Sequence, residues 1–504
     1  MSFRQSDRFG EFDLKKLLVP VCLILALLVI TGVYHIYKPL PEGLSMEGEI
    51  NRVPSSAVSF LTDYSFIDSK GERQTDQEIF DEIFSLIRGA EDFILLDMFL
   101  FNDFLGAEPR KLRELSEELT SLLVQKKKAR PEMEIIFISD PINTIYGAQQ
   151  SEDFLRLRKA GVEVVLTDLK KLRDSNIIYS PFWRVFFQWF GTGNGGFMPN
   201  PFEPDGEGIS IRAYLKLLNF KANHRKVIVA DSMFGGNKTL STIVTSANPH
   251  DGSSAHENVA LRVDGFIWRD ILAGELAVIN MSDYDIELPW GKIAELETLE
   301  QPRSVENPLE VQVLTEEKIR QKMLELLENS DKNDSVKIVM FYISDRKIIN
   351  SLLEAEKRGV EIRLVLDPNK DAFGRKKTGI PTRPVARELR EKSDGDIKIR
   401  WCDTRGEQCH SKMILVNRAG TYFLNLGSAN LTRRNLGDYN LETNLLVSGS
   451  RQAKAIRDAN EYFEKIWANE NGRIYTADYQ KYASDSFLKR SSYLIMEYTG
   501  FCSF

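Results

Sequence analysis

A chain of 504 residues is longer than one compact core supports, since single cores stop growing near ~250–300 residues, so two or three domains are expected. With 42% hydrophobic and 28% charged residues and no long biased tract, the composition excludes a largely disordered protein. A net charge of −7 argues against a protein that grips nucleic acid by a broad basic face, although it leaves room for a local basic cleft.

The N-terminus carries a clear physical signal. From Leu17 to Ile36 there is no Asp, Glu, Lys or Arg, and Leu, Val and Ile dominate a stretch long enough to cross a hydrocarbon core. The run continues into Tyr34, His35, Tyr37 and Lys38 instead of a small-residue cleavage site, which favours an uncleaved anchor over residues 17–38 behind a short tail, 1–16. Arg4, Arg8, Lys15 and Lys16 precede the span and only Lys38 follows closely, so the positive-inside bias puts the N-terminus in the cytoplasm and the bulk on the periplasmic or extracellular side.

After the anchor the same order of elements occurs twice. Val58–Asp63 is echoed by Val311–Glu316, and each is followed by a helical pattern with one apolar face: Ile79, Ile83, Leu86 and Ile87, then Ile319, Met323, Leu326 and Leu327. Thr75 and Glu78 have the spacing of a capping box for the first of these helices. Apolar runs at Phe93–Leu96 and Lys337–Phe341 predict strands covered on both faces. Strands closing on Asp-Pro follow at Ile135–Pro141 and Ile362–Pro368, then shorter ones at Val162–Leu166 and Ile397–Trp401. This alternation predicts an α/β fold, with a mixed or largely parallel sheet covered by helices on both sides. The halves are expected at 39–305 and 306–504.

The first half has an insertion, 170–220, with an aromatic block, Phe182, Trp183, Phe186, Phe187, Trp189 and Phe190, and a Gly- and Pro-rich loop. Such a block, with its lone Arg184, suits a membrane boundary or an acyl-chain entrance; a helix packed into the core is the other reading. Of the four cysteines, Cys22, Cys402, Cys409 and Cys502, only Cys402 and Cys409 are close in sequence; a disulfide and two thiols are both open readings.

Near the end of each half comes a histidine with a lysine two residues on: His224-Arg225-Lys226 followed by Val-Ile-Val-Ala-Asp231, and His410-Ser411-Lys412 followed by Met-Ile-Leu-Val-Asn417. In a strand, residues i and i+2 share a face, so each pair projects into one cleft. A Ser-x-Asn triplet follows each, Ser246-Ala247-Asn248 and Ser428-Ala429-Asn430, and then a glutamate, Glu257 and Glu442. Only five histidines occur in the chain, and two of them hold equivalent places in the repeat. A phosphodiester resists attack because it is anionic. Lys226, Lys412, Asn248 and Asn430 would neutralise its non-bridging oxygens, while one imidazole attacks phosphorus and the other protonates the leaving alkoxide.

These motifs resemble the paired HKD motifs of the phospholipase D superfamily, and the second copy is most similar to the bacterial cardiolipin synthase and phospholipase branch. The resemblance implies two fused α/β/α lobes about a pseudo-dyad, one active site at their junction, a phosphohistidine intermediate and neither metal nor cofactor. It implies catalytic roles for His224, Lys226 and Asp231 and for His410 and Lys412, with His224 as nucleophile and His410 as general acid. Ser246 and Ser428 would join the two asparagines around the phosphate, and Glu257 and Glu442 would each orient a histidine.

Two positions depart from the pattern: Asn417 replaces the usual aspartate, at a position expected beyond the strand and in a structural hydrogen-bonding role that an amide can partly fill, and Thr245 precedes the first Ser-x-Asn where the second has Gly427. Glu257 also lies one residue nearer its following asparagine than Glu442 does. The expected substrate and partner is a membrane phospholipid, with no obligate protein partner. A nuclease of the same superfamily is the alternative, and an inactive membrane scaffold the third reading.

Overall fold

The computed structural model describes residues 14–106, 111–295, 308–372 and 375–502. Arg4, Arg8 and most of the expected tail lie outside these residues, as does the expected boundary at 305/306.

The strands are β1 Asn51–Val53, β2 Val58–Ile67, β3 Arg73–Gln77, β4 Phe93–Met98, β5 Glu134–Ser139, β6 Glu163–Leu166, β7 Lys226–Phe234, β8 Asn237–Thr245 and β9 Asn258–Asp264. They continue with β10 Leu309–Thr315, β11 Ser335–Met340, β12 Glu361–Leu366, the small hairpin β13 Asp371–Ala372 and β14 Arg375–Lys376, β15 Lys398–Cys402, β16 Lys412–Arg418, β17 Thr421–Gly427, β18 Thr443–Gly449 and β19 Thr476–Asp478. The helices are α1 Leu14–Tyr37, α2 Ile79–Gly89, α3 Leu115–Ala129, α4 Glu152–Ala160, α5 Tyr179–Phe186, α6 Ile211–Leu217 and α7 Trp268–Met281. After them come α8 Trp290–Glu295, α9 Glu317–Glu328, α10 Arg346–Lys357, α11 Thr382–Lys392, α12 Arg433–Leu436, α13 Lys454–Ala468 and α14 Phe487–Thr499.

Two large sheets have one topology. The first runs β3-β2-β9-β8-β7-β4-β5-β6 and the second β1-β10-β18-β17-β16-β11-β12-β15-β19. Seven consecutive positions correspond, from β2 and β10 through β6 and β15, so the repeat read from the sequence is a repeat of fold. β4, β5 and β6 are parallel, as are β11, β12 and β15, whereas β7, β8 and β9 and their counterparts are antiparallel. Each sheet is therefore mixed. The continuous apolar strands β4 and β11 lie mid-sheet, where both faces need cover.

The predicted apolar faces of α2 and α9 are buried, and full burial of each such side chain contributes about 1.5–3 kcal/mol. The capping box is corrected. Thr75 pairs with Ser65 within β3, and the first N–H groups of α2, those of Glu78 and Ile79, are accepted by Asp63 Oδ1. Glu78 instead accepts the N–H of Thr62. A second difference concerns the halves: β1, from the segment after α1, is an edge strand of the second sheet, pairing with β10.

α1 contains the one helix among the described residues long and apolar enough to cross a membrane, Leu18–Tyr37, with a mean hydropathy of 2.4. Its exit is fastened to the first lobe: Asp174 N–H donates to His35 O (2.9 Å) and Arg173 Nε to Lys38 O (2.8 Å). In the insertion, α5 lies against α1; a Cβ placed on Gly32 would come within 2.9 Å of Pro181 Cγ, so glycine permits the close approach. Trp183 is buried, but Phe182, Phe186, Trp189 and Phe190 are exposed, so most of the aromatic block is not core. Arg184 is not a boundary cation as expected: it is buried and bonds both carboxylate oxygens of Asp174.

Candidate active site

β7 and β16 begin at the lysines, not at the histidines. His224 and His410 stand two residues earlier, in extended segments that pair across the lobes. His224 N–H donates to Leu441 O (2.9 Å) and His410 N–H to Glu257 O (2.8 Å). Each histidine is thus stitched to the residue just before the partner lobe's Glu442 or Asn258, and this crossed pairing brings the two motifs into one site. Both histidines are 8% exposed, so the site sits in a narrow opening.

The two sides repeat in detail. Lys226 Nζ donates to His224 O (2.7 Å) and Lys412 Nζ to His410 O (2.6 Å). Phe99 meets His224 edge-on, its ring centre 4.8 Å away, and lies under Lys226; Phe341 does the same for His410 (5.1 Å) and Lys412. The carboxylates of the two Asp-Pro turns hold the residue preceding each histidine: Asp140 accepts Asn223 N–H (2.7 Å) and Asp367 accepts Cys409 N–H (2.9 Å).

The symmetry breaks at the imidazole partners. His224 Nδ1 lies 3.0 Å from Glu442 Oε2 of the other lobe, whereas His410 Nδ1 lies 3.3 Å from the amide oxygen of Asn258. Strand register explains it. Ser246 N–H bonds Val259 O as Ser428 N–H bonds Thr443 O, so Asn258, not Glu257, is the counterpart of Glu442. The expectation for Glu257 is corrected accordingly: its carboxylate accepts from Tyr462 OH (2.8 Å), beside the disulfide that joins Cys402 and Cys409.

Two further expectations are corrected. Ser246 Oγ donates to Asn258 Oδ1 and Ser428 Oγ to Glu442 Oε2, so these hydroxyl protons hold the histidine partners and are not offered to phosphate. Asp231 lies five residues along β7 from Lys226, outside the cleft. Its carboxylate accepts the N–H groups of Glu91, Asp92 and Phe93 where β4 begins. The counterpart Asn417 is equally remote, paired with Ser335 at the start of β11, which is why its departure from the motif leaves the site intact. Asn248 and Asn430 are both nearly buried; Asn248 Oδ1 accepts Leu100 N–H (3.3 Å), and Asn430 Oδ1 has no partner among the described residues.

Residues 323–467 match the family model for the cardiolipin synthase, phospholipase D-like domain. That segment, which holds the second histidine motif, is therefore similar to the phospholipase D-like domain of cardiolipin synthases. Its fold is similar to that of phosphatidylserine synthase from Haemophilus influenzae, with 11% identity, a TM-score of 0.54, and coverage of 94% of this chain and 99% of that one. Nuc from Salmonella typhimurium, a phospholipase D family member, aligns with 34% of this chain and 98% of its own, at 19% identity and a TM-score of 0.27. No curated protein sequence matches.

Within this site, burial works against every cation. It lowers His224 to about 4 despite the neighbouring Glu442, and lowers Lys226 to about 7. Burial, then Lys412, His256 and Lys226, take His410 well below its ordinary value, and burial with Lys226 does the same to Lys412. Burial opposes charge on Glu442 too, yet His224, Lys226 and the Ser428 hydroxyl outweigh it and hold the carboxyl below its usual range. The site therefore opposes accumulated positive charge, which is the electrostatic setting that an anion relieves. Residues not singled out from the sequence are Asn258, Phe99 and Phe341. The one-residue offset of Glu257 was the available signal for Asn258; nothing in the pattern marked the phenylalanines.

Proposed function

We propose that this chain is a membrane-anchored phosphodiesterase that hydrolyses or transfers phosphatidyl groups of phospholipids through a phosphohistidine intermediate. The observation that carries the reading is the asymmetric pair of imidazoles, one against a carboxylate and one against an amide, with a lysine beside each.

His224 Nδ1–H donates to Glu442, which leaves the Nε2 lone pair free to attack phosphorus. As the P–N bond forms and the P–O bond to the leaving group breaks, the imidazole becomes cationic, and the Glu442 carboxylate stabilises that charge. His410, held by a neutral amide, gives its proton to the departing alkoxide. The substrate anion, by approaching Lys226, Lys412 and the two imidazoles, raises their proton affinity and so supplies the protonated state that His410 needs. Water or an alcohol then attacks phosphorus and gives a proton to His410, and the P–N bond breaks.

The lipid reading is supported by α1 and its attachment. Asp174 bonds the backbone at His35 and also pairs with Lys221, three residues before His224. Covalent reach then bounds the distance from the anchor's exit to the nucleophile at about 25 Å, so the chemistry is tethered close to a bilayer that α1 would span. In this reading the N-terminus is cytoplasmic and the lobes lie on the outer side.

The test offers purified protein phosphatidylglycerol, phosphatidylcholine and single-stranded DNA in parallel. The expected result is product from lipid, abolished by His224→Ala and by His410→Ala. DNA cleavage without lipid turnover would replace the reading by a nuclease, and turnover of neither would leave a scaffold.

A further inference from the structure

Beside the anchor lies a second apolar surface. Ile178, Phe182, Trp189 and Phe190 are exposed on and after α5; Tyr498 and Phe501 are exposed at the end of α14. The two elements are joined: Ile177 N–H donates to Thr499 O (3.0 Å), Arg433 Nη2 to Ser175 O (2.8 Å), and the rings of Phe220 and Phe501 meet at 5.9 Å. Large contiguous aromatic exposure is costly in water and marks a contact surface.

The depth of this surface follows from α1. Pro181 of α5 touches the helix at Gly32, five residues before Tyr37. At 1.5 Å per residue that is roughly 7.5 Å below the exit, within the 5–10 Å occupied by helices lying in the headgroup and acyl boundary. Charge agrees. Lys170 and Lys216 stand behind α5 around a small pocket lined by Tyr146, Trp183 and Asn219, and neither has a carboxylate within 4.0 Å among the described residues. Lys216 is half-buried; its ammonium lies 3.5 Å from the Tyr146 carbonyl and 5.9 Å from the centre of the Tyr146 ring, with Asp168 and Asp140 acting on it from farther away. A partly desolvated cation with no contact ion pair among the described residues fits an anionic headgroup.

We propose that α5, its aromatic tail and the end of α14 form a monotopic contact with an anionic phospholipid surface, which clamps the catalytic lobes to the bilayer independently of the span itself. This rests on the reading of α1 as an anchor. It adds that the lobes are held at a fixed depth and tilt, with lipid headgroups meeting the protein at the first lobe near Lys221 and His224.

The experiment places the full chain in nanodiscs of phosphatidylcholine and phosphatidylglycerol whose acyl chains are brominated either near the glycerol or near the methyl end. Tryptophan quenching is compared between wild type and Trp189→Phe, a conservative change at an exposed ring. The expected result is strong quenching by glycerol-end bromine that falls by half or more in Trp189→Phe, on the order of what one shallow, lipid-facing indole contributes. Native Cys22, in the N-terminal third of the apolar stretch Leu18–Tyr37, is probed in the same sample with a membrane-impermeant thiol reagent. Protected Cys22 with quenching unaffected by Trp189→Phe would overturn the proposal and leave the anchor standing. Labelled Cys22 would overturn the anchor reading and the proposal together.

Discussion

Replacing Glu442 by Gln is expected to cripple the enzyme while leaving its fold intact. The carboxylate lies 3.0 Å from His224 Nδ1 and is fully buried, and its other oxygen accepts from Asn435. A unit charge pair about 4 Å apart at an effective dielectric constant near 20 is worth about 4 kcal/mol, which is the stabilisation lost when the imidazole turns cationic on attack. At ~1.4 kcal/mol per decade this is about a 10³-fold loss in kcat/KM. The amide would also favour the wrong tautomer: with its NH2 facing Nδ1, the imidazole proton moves to Nε2 and occupies the attacking lone pair. Asn258→Ala takes from His410 a neutral hydrogen bond at 3.3 Å, worth about 1 kcal/mol, or roughly fivefold in kcat/KM, while the bonds of Asn258 to Ser246 and His256 are read in the unfolding control. The assay is hydrolysis of a chromogenic phosphodiester, which needs no bilayer, with thermal unfolding as the control for folding. Activity of Glu442→Gln within tenfold of wild type, or an Asn258→Ala loss as large as that of Glu442→Gln, would refute the division of roles.

Three other outcomes follow from the same geometry. Asp231→Asn should lower stability by about 1–3 kcal/mol, because it weakens the acceptor of three backbone N–H groups, while kcat stays unchanged; a catalytic loss without a shift in Tm would contradict its placement. Binding of orthovanadate should take up protons. Burial lowers Lys226 to about 7 against an ordinary 10.5, so in that window it binds a proton only when the anion arrives, and affinity falls as pH rises; calorimetry in buffers of different ionisation enthalpy would show no net uptake if this is wrong. Reducing the Cys402–Cys409 disulfide, which closes a loop of sequence separation 7, should cost about 2.5 kcal/mol from chain entropy, read as a drop in Tm under reductant.

The fold was legible in the sequence because its signals are periodic. Apolar faces at 3.6 residues and continuous apolar strands recur in the same order in both halves, and the two sheets repeat that order. The site was legible as far as the side chains lie on one local segment, as His224 with Lys226 and His410 with Lys412 do. What escaped depends on pairing between segments distant along the chain. Asn258 was hidden because only the pairing of Ser246 with Val259 sets its register, one residue from the more conspicuous Glu257. Asp231 was misassigned because a motif read in one dimension does not tell that a β strand carries its fifth residue ~16 Å from the first. Arg184 gained its buried partner, Asp174, from a loop that has no periodicity to read.

The most direct test is to trap the intermediate. Wild type, incubated with a phospholipid and quenched rapidly in base, should carry a phosphatidyl group on His224 in peptide mass spectrometry, and His224→Ala should carry none, because the nucleophile is the ring that Glu442 holds. An adduct on any other residue, or lipid turnover by wild type with none ever detectable on His224, would contradict the account.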